Sequence, residues 1–329
     1  MNDGTLTMSI VIPTYGREGV LTDTIEQLLA QTDSTPGFIE LIVVDQTARH
    51  AEDTQARLDR WRQDGRIRWI HFDIPHLTRA MNHGLQQAAG QIVLFVDDDI
   101  IPCPDLLIQH LDAYRRIPDL WGIVGQVLQP GEKPEVLPYT ARGGALRRYM
   151  DFPYRRTEGA FIENAIACNF SVVRDKAIAL GGFDENYGPP VASRFETEFA
   201  KRLIKAGGRI WFEPKASIRH LRAPSGGTRS QGSHMSSASP CFGVGDYYFA
   251  LKHDSGWEQG WYILKRPFRE IRTRFHLRHP WWIPVKFVGE LRAIAEALSL
   301  HRRGPQLIRV TPSTSQDSIC KIADGCTPG

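Results

Sequence analysis

Three consecutive carboxylates, Asp97, Asp98 and Asp99, directly follow the apolar run IVLFV of residues 92–96. In an extended chain successive side chains point to opposite faces, so Asp97 and Asp99 share one face. Two carboxylates about 4 Å apart repel each other by about 4 kcal/mol at an effective dielectric constant of about 20. A divalent cation between them removes this repulsion, and Mg²⁺ and Mn²⁺ bind well to oxygen ligands. The pattern suggests a cation site; the alternative is a solvated acidic turn that caps the next helix.

The elements that would position these aspartates alternate between strand and helix. Apolar runs predict buried strands, and helical spacing of apolar residues predicts helices between them. This alternation indicates a mostly parallel sheet covered by helices. Ligands bind such sheets beyond the carboxyl ends of the strands, so Thr14–Arg17, Asp45 and Asp97–Asp99 are expected to converge on one crevice. The predicted strands are SIVIPT (9–14), IELIVVD (39–45), RIRWIHF (66–72), IVLFV (92–96) and WGIVGQVL (121–128).

The rest of the chain predicts further elements and the domain bounds. Residues 131–195 are rich in Gly and Pro and contain short strands, including IENAIACNFSVV (162–173). A helix through Phe199 and Leu203 is followed by two predicted strands, RIWFE (209–213) and ASIRHL (216–221). The expected organisation is a catalytic domain (1–222), a flexible flap or linker (223–240), a basic aromatic helical extension (241–310) and a disordered tail (311–329).

Composition narrows the class of protein. The chain has 329 residues, of which 42% are hydrophobic and 23% charged, as in soluble globular proteins. Its five cysteines contain no CxxC pair, which argues against a disulfide framework or a zinc site and favours a reducing cytoplasm. Neither a signal peptide nor an apolar run of about 18 residues is visible. A cytoplasmic protein is expected, with peripheral attachment to the inner face of the membrane as an option.

The segment from Tyr262 to Arg303 is unusually basic, with ten Lys or Arg against three Glu. Trp281 and Trp282 precede apolar residues at helical spacing, namely Phe287, Val288, Leu291, Ala295 and Leu298. An apolar helix face opposite a basic face is typical of helices that lie on an anionic membrane surface. The alternative is a helix that packs onto the catalytic domain. Nucleic acid is not an expected partner, because no recognised nucleic-acid-binding module accompanies the charge.

Several motifs together resemble a known family. The first βα turn, PTYGREG (13–19), lacks the GxGxxG of dinucleotide-binding folds. The segments SIVIPTYGRE, LIVVDQT, AMNHGLQQAAGQIVLFVDDD, GGFDENY and ETEFAKRLIKAGGRI, in this order, resemble an inverting family 2 glycosyltransferase of GT-A fold. The resemblance covers residues 8 to about 222. It implies a Rossmann-like α/β sheet, Mn²⁺ or Mg²⁺, a nucleoside-diphosphate sugar donor, and a glycan or lipid-linked saccharide that accepts the sugar on a hydroxyl.

The resemblance also implies roles for individual residues. Asp45 would accept a hydrogen bond from the base, and Asp97 would lie near the ribose. Asp99 and His220 would bind the metal. The residues implied to contact the nucleotide are Pro13, Thr14, Tyr15, Arg17, Asp45, Asn82, Asp97 and Asp98. Beside the phosphates would lie Arg222 and Arg229, because guanidinium groups and the glycine amides between them are good diphosphate donors.

The catalytic base is where this sequence departs from the family pattern. Where that pattern opens its acceptor helix with Glu-Asp, this chain has Phe195 and Glu196. Glu196 or Glu198 would then deprotonate the acceptor, which requires hydrogen-bond reach to its hydroxyl. Alternatively, both glutamates only stabilise the helix N-terminus through its dipole. The departure keeps a non-catalytic sugar-nucleotide or glycan-binding protein as an alternative, beside a sugar-phosphate nucleotidyltransferase that would release pyrophosphate.

Overall fold

One mixed sheet of nine strands organises the described part of the chain. The computed structural model describes residues 6–137, 152–189, 193–227, 233–253 and 256–309. The strands are β1 (Met8–Thr14), β2 (Phe38–Asp45), β3 (Arg68–His71), β4 (Ile92–Val96), β5 (Ile100–Pro102), β6 (Leu120–Leu128), β7 (Ala160–Ile162), β8 (Asn169–Val173) and β9 (Arg209–His220). Their order across the sheet is β3-β2-β1-β4-β8-β6-β9-β5, and β7 pairs with β9.

Helices pack on both faces of this sheet. Alternation along β1 sends Val11 into one core cluster and Ile10 and Ile12 into the other. The first cluster includes Leu85 of the helix after β3, and the second includes Leu28 of the helix after β1. The helices are α1 (Gly19–Thr32), α2 (Glu52–Gln63), α3 (Leu77–Gln87), α4 (Leu106–Arg116), α5 (Arg174–Ala179), α6 (Phe195–Lys205), α7 (Val244–His253), α8 (Trp257–Ile271), α9 (Arg274–Arg278) and α10 (Trp282–Arg303).

The parallel half of the sheet brings three strand ends to one edge. β1 lies between β2 and β4 and runs parallel to both. The register places Thr14 beside Asp45 and Val11 beside Phe95. Because all three strands run the same way, the turn after β1 and the aspartates after β4 meet at the carboxyl edge. This confirms the mostly parallel α/β sheet expected from the apolar runs.

The second half of the sheet is mixed. β8 lies antiparallel between β4 and β6, whereas β9 is parallel to β6. The prediction of two strands over 209–221 was wrong, since one strand extends from Arg209 to His220. The interruption near Pro214, which has no backbone N–H, is a register shift opposite Gly125 and Gln126. Beyond it, β5 pairs antiparallel with the end of β9 and sets Ile100 opposite His220.

The C-terminal helices pack against the sheet domain. Their buried side belongs to the same core cluster as Val11 and Phe95, and the chain after α10 returns to the sheet domain through Ile308, whose N–H donates to the Gly181 carbonyl at 2.8 Å. One side of α10 is therefore covered by protein, as expected if this helix packs onto the rest of the chain. None of the helices among the described residues combines the length and apolar character needed to cross a bilayer. The buried members from these helices are Val244, Tyr247, Tyr248, Ala293, Ala297 and Leu300.

Candidate active site

A cavity of about 870 Å³ lies at the carboxyl edge of the sheet. It is bounded by the turn after β1, the aspartates after β4, the start of α6 and the segment after β9. A groove of about 710 Å³ between α1 and α2 contains none of the predicted site residues. Those that line the first cavity are Pro13, Thr14, Tyr15, Arg17, Asp97, Asp98, Asp99, Glu196, His220 and Arg222. Asp45, Asn82 and Glu198 do not line it, and Arg229 lies outside the described residues.

Asp98 is buried beneath the turn that follows β1. Its carboxylate accepts hydrogen bonds from Thr14 Oγ1 at 2.7 Å and from Arg17 Nε at 3.2 Å. Burial raises the pKa of Asp98 to about 7, although Thr14 and Arg17 act to lower it. Only 6% of Asp98 and 2% of Asp99 are exposed. A solvated acidic turn is therefore excluded for these two side chains.

Asp97, Asp99 and His220 form a compact cluster in which one ligand atom of each lies within 4.8 Å of the others. The Nε2 atom of His220 lies 3.2 Å from a carboxylate oxygen of each aspartate. Its Nδ1 atom lies 3.2 Å from Gln129 Oε1, which can only accept, so Nδ1 carries the proton and Nε2 faces the carboxylates. This is the orientation that a metal-ligating histidine requires. Two carboxylates and an imidazole nitrogen fit a divalent cation such as Mn²⁺.

The charges in this cluster favour a positive group. Burial alone would lower the pKa of His220, but the two carboxylates raise it to about 9. Burial alone would raise the pKa of Asp99, but His220, the Ala223 amide and Arg17 lower it. Asp99 is therefore ionised at neutral pH and able to bind a cation.

The segment after β9, residues 221–227, lies on the turn after β1. Arg17 connects the two, because its guanidinium pairs with Asp99 at 3.4 Å and donates to the Ala223 carbonyl at 3.1 Å and to the Ser225 carbonyl. The Gly227 N–H donates to the Tyr15 carbonyl at 2.7 Å. Gly226 has a positive φ of 80°, and a Cβ there would lie 2.3 Å from the Gly16 carbonyl oxygen. The close approach of the two backbones requires glycine.

Asp45 and Asn82 are engaged in bonds within the protein. Asp45 is fully buried and accepts from the Thr47 N–H at 2.9 Å, from Trp69 Nε1 at 2.9 Å and from His50 Nε2 at 2.7 Å. Asn82 bonds both the N–H and the carbonyl of Phe183, at 2.7 and 2.8 Å. These contacts order the end of β2 and the GGFDENY segment, which lie behind the cavity wall.

At the start of α6 the adjacent residues Phe195 and Glu196 lie in different environments. Phe195 is buried and packs on Phe183, with ring centroids 5.9 Å apart, so the position that departs from the family pattern belongs to the core. Glu196 lines the cavity. The preceding residue, Arg194, adopts a left-handed conformation with φ of 74° and also lines the cavity. Its guanidinium bonds Asp246 of α7 at 2.6 Å.

Glu198 lies in a buried network of ion pairs. Its carboxylate accepts from Arg202 at 2.7 and 2.9 Å, from Lys252 at 2.7 Å and from His253 at 3.1 Å. Lys252 in turn bonds Asp184 at 2.6 Å. Burial alone would raise the pKa of Glu198, but Arg202, His253 and Lys252 hold it far below its ordinary range. Such a carboxylate is a poor proton acceptor, whereas Glu196 lines the cavity.

Sequence reasoning missed Gln129, Arg194 and Asp246. Gln129 directly follows β6, which is parallel to β9 and sets Leu128 opposite Arg219, so a polar residue at that strand end was a usable signal. Arg194 and Asp246 are far apart in the chain, and no local pattern connects them.

Comparison with known proteins identifies the family. The family model described as Glycosyl transferase family 2 matches residues 9–178. The chain belongs to this family. The fold is that of GT-A glycosyltransferases, and the enzyme is a glycosyltransferase.

One relative and two solved structures illustrate this membership. Over 229 residues the chain is 25% identical to glucosyl-dolichyl phosphate glucuronosyltransferase of Haloferax volcanii. The aligned region is 65% of this chain and 68% of that protein. GalNAc-T7 with UDP, GalNAc and Mn²⁺ has a similar fold, with a TM-score of 0.55 and 14% identity, over 84% of this chain and 58% of that one. The mannosyltransferase PcManGT from Pyrobaculum calidifontis, with GDP-Man and Mn²⁺, has a TM-score of 0.50 and 16% identity, over 92% and 80%.

Proposed function

We propose that this family 2 glycosyltransferase moves a sugar from a nucleoside diphosphate to an acceptor hydroxyl, with inversion and with the help of a divalent cation. The observation that carries the proposal is the cavity that joins the Asp97–Asp99–His220 cluster to Glu196. A cation site and an accessible carboxylate in one cavity are the two parts that a single displacement needs.

Asp97, Asp99 and His220 would hold the cation, and Gln129 would orient the imidazole. The bound cation would offset the charge on the departing diphosphate. Thr14, Tyr15 and Gly226 line the same cavity and would bind the nucleotide and its phosphates. Arg222 would add a guanidinium at the phosphates. Asp45 and Asn82 would act indirectly, by ordering the wall behind the nucleotide.

Glu196 would act as the general base. The acceptor hydroxyl forms a bond to the anomeric carbon and gives its proton to the Glu196 carboxylate. The bond from that carbon to the diphosphate oxygen breaks, and its electron pair leaves with the nucleotide. Attack opposite the leaving group inverts the anomeric carbon. Glu198 is not needed for this step, because its ion pairs hold it behind the helix.

For the acceptor we propose a hydroxyl of a glycan or of a lipid-linked saccharide, with transfer on the cytoplasmic side of a membrane. The Haloferax relative, whose name describes an enzyme acting on a glucosyl-dolichyl phosphate, supports the lipid-linked form. The three described cysteines, Cys103, Cys168 and Cys241, are free thiols and agree with a reducing compartment.

The test is calorimetric titration of the protein with UDP-, GDP- and dTDP-sugars, with and without Mn²⁺. We expect one donor to bind only with the cation, and Asp99→Ala to abolish that binding. Asp175→Ala, at an exposed surface aspartate, is the matched control and should bind normally. Binding of no donor under any condition would overturn the proposal. Metal-dependent binding without turnover on any acceptor would instead indicate a sugar-nucleotide-binding protein.

A further inference from the structure

The outer side of α8 carries four exposed apolar side chains. Their spacing of four, three and four residues places them on one side of the helix over about 16 Å. Arg266, on the opposite side, and Pro267 are buried. We name the exposed set the α8 stripe, and its members are Trp257 (78% exposed), Trp261 (47%), Leu264 (61%) and Phe268 (46%).

The α8 stripe continues onto α10. The ring of Phe268 lies 6.0 Å from that of Phe287, centroid to centroid. Beside Phe287 the outward side of α10 exposes Val288 and Leu291, about half of each side chain being accessible. Trp281, at the start of α10, is also exposed. Exposed apolar residues on a soluble protein are usually scattered singly. A connected exposed apolar surface of this kind therefore indicates a docking site.

The segment that carries the α8 stripe is rich in exposed basic residues. Of the ten Lys and Arg between residues 262 and 303, only Arg266 and Lys286 are buried, and both pair with buried acids. The other eight face solvent, against Glu270 and Glu296. The Lys265 ammonium lies 5.6 Å from the centre of the Trp261 ring, which stacks on Trp257 at 5.6 Å and 12°. Positive charge therefore lies beside the apolar surface at Lys265 and elsewhere on the same segment.

Exposed tryptophans next to basic residues indicate which kind of partner binds this surface. Tryptophan beside lysine and arginine is a composition that proteins place at the membrane–water boundary. Positive charge is complementary to anionic headgroups, and indole rings insert at the headgroup level.

We propose that the α8 stripe, with the adjoining outward side of α10, docks the enzyme on an anionic lipid bilayer. This goes beyond the transfer reaction, since docking needs neither donor nor cation. The sequence predicted a membrane contact through the helix from Trp282 to Arg303, but one side of that helix is buried against α7. The proposed contact therefore lies mainly on α8, which exposes two tryptophans and a phenylalanine. The enzyme would lie on the membrane with α8 parallel to its surface.

Sedimentation of the full chain with vesicles tests the proposal, without donor or cation. We expect binding to phosphatidylcholine vesicles that contain phosphatidylglycerol, weaker binding to phosphatidylcholine alone, and weakening by added salt. Trp257→Ser with Trp261→Ser should reduce binding at least about tenfold. Lys265→Glu with Arg272→Glu should remove the preference for phosphatidylglycerol. Ile74→Ser with Val136→Ser is the matched control, because these exposed apolar residues lie outside α8 and α10, and it should bind normally.

Absence of vesicle binding by the unchanged protein, or equal binding after the tryptophan substitutions, would overturn the proposal. A dimer in solution that the tryptophan substitutions convert into a monomer would assign the surface to a second copy of the chain and would also overturn it. Donor titration of the tryptophan variant separates this test from the proposed function. Normal donor binding with lost vesicle binding supports both proposals, and vesicle binding without any donor binding leaves only the docking surface standing.

Discussion

Glu196 and Glu198 are two residues apart on one helix, yet Glu196 lines the cavity whereas Glu198 is fully buried. Residues two apart in a helix point in widely different directions, so one turn can supply both a catalytic group and a structural one. Arg202 and Lys252 surround Glu198 with positive charge. The two carboxylates therefore differ in position, and these ion pairs hold the pKa of Glu198 low.

Glu196→Gln tests the catalytic half of this division. It should lower kcat by about 10²- to 10⁴-fold, because the amide cannot take the acceptor proton. Donor affinity should not change, since the base acts on the acceptor. Initial rates and donor titrations measure the two quantities separately. Full activity in Glu196→Gln would exclude it as the base, whereas folded Glu198→Gln should keep kcat within about tenfold.

Glu198→Gln tests the structural half. Removing one partner of a buried ion pair destabilises a protein by about 3–5 kcal/mol, and chemical denaturation near pH 7 should show a loss of this size. As a control, Asp112→Asn removes a surface pair with Arg115 and should change stability by less than about 1 kcal/mol.

The stability difference between the unchanged protein and Glu198→Gln should depend on pH. Because Arg202, His253 and Lys252 lower the pKa of Glu198 below its ordinary 4.5, its charge stabilises the folded state fully above about pH 4.5. As pH falls below this value the unfolded state binds the proton first, so the difference should shrink. Denaturation curves at several pH values measure it. A difference that grows on acidification would contradict the assigned direction.

Gln129→Leu tests the orientation of His220. Without the acceptor at 3.2 Å the imidazole is free to turn or to change tautomer, and the Mn²⁺ concentration needed for half-maximal donor binding should rise about 10- to 100-fold. Gln129→Glu keeps an acceptor and should restore affinity. An unchanged metal requirement in the leucine variant, with the fold intact, would remove Gln129 from the site.

Gly226→Ala tests the contact between residues 221–227 and the turn after β1. The added Cβ would lie 2.3 Å from the Gly16 carbonyl oxygen, so the segment must shift. Strain of about 1–3 kcal/mol should weaken donor binding by about tenfold or more. Gly131→Ala is a close control, since Gly131 has a similar φ of 81° but no atom within 4 Å of the added Cβ. If both variants bind donor equally well, the segment does not shape the site.

β1, β2 and β4 were predictable because each is largely a buried apolar run. The carboxyl ends of those runs located Thr14 and Asp97–Asp99, which do lie at one cavity. The position of Asp45 was equally visible, but its bonds to His50 and Trp69 depend on the packing of the helix and strand that follow, which periodicity does not describe.

Long-range partners account for the rest. Glu198 belongs to a buried ion-pair network because Lys252 and His253 approach it from α7. No sequence pattern near residue 198 predicts these contacts. The sequence likewise shows that the segment from Tyr262 to Arg303 is basic, but it does not show which faces of its helices are covered by protein. Burial of Lys286 and Glu290 as a pair covers one side of α10, whereas Trp257 of α8 is 78% exposed.

The pairing of β5 with the end of β9 has a consequence for synthesis of the chain. Asp99 and His220 meet only through this late pairing, while the family-matched residues 9–178 end before either Glu196 or His220. A ribosome that stalls early thus releases a chain with the acidic strand end but without the histidine and the glutamate. The candidate cation site therefore cannot form before residue 220 has been synthesised, because no shorter chain contains all three candidate ligands.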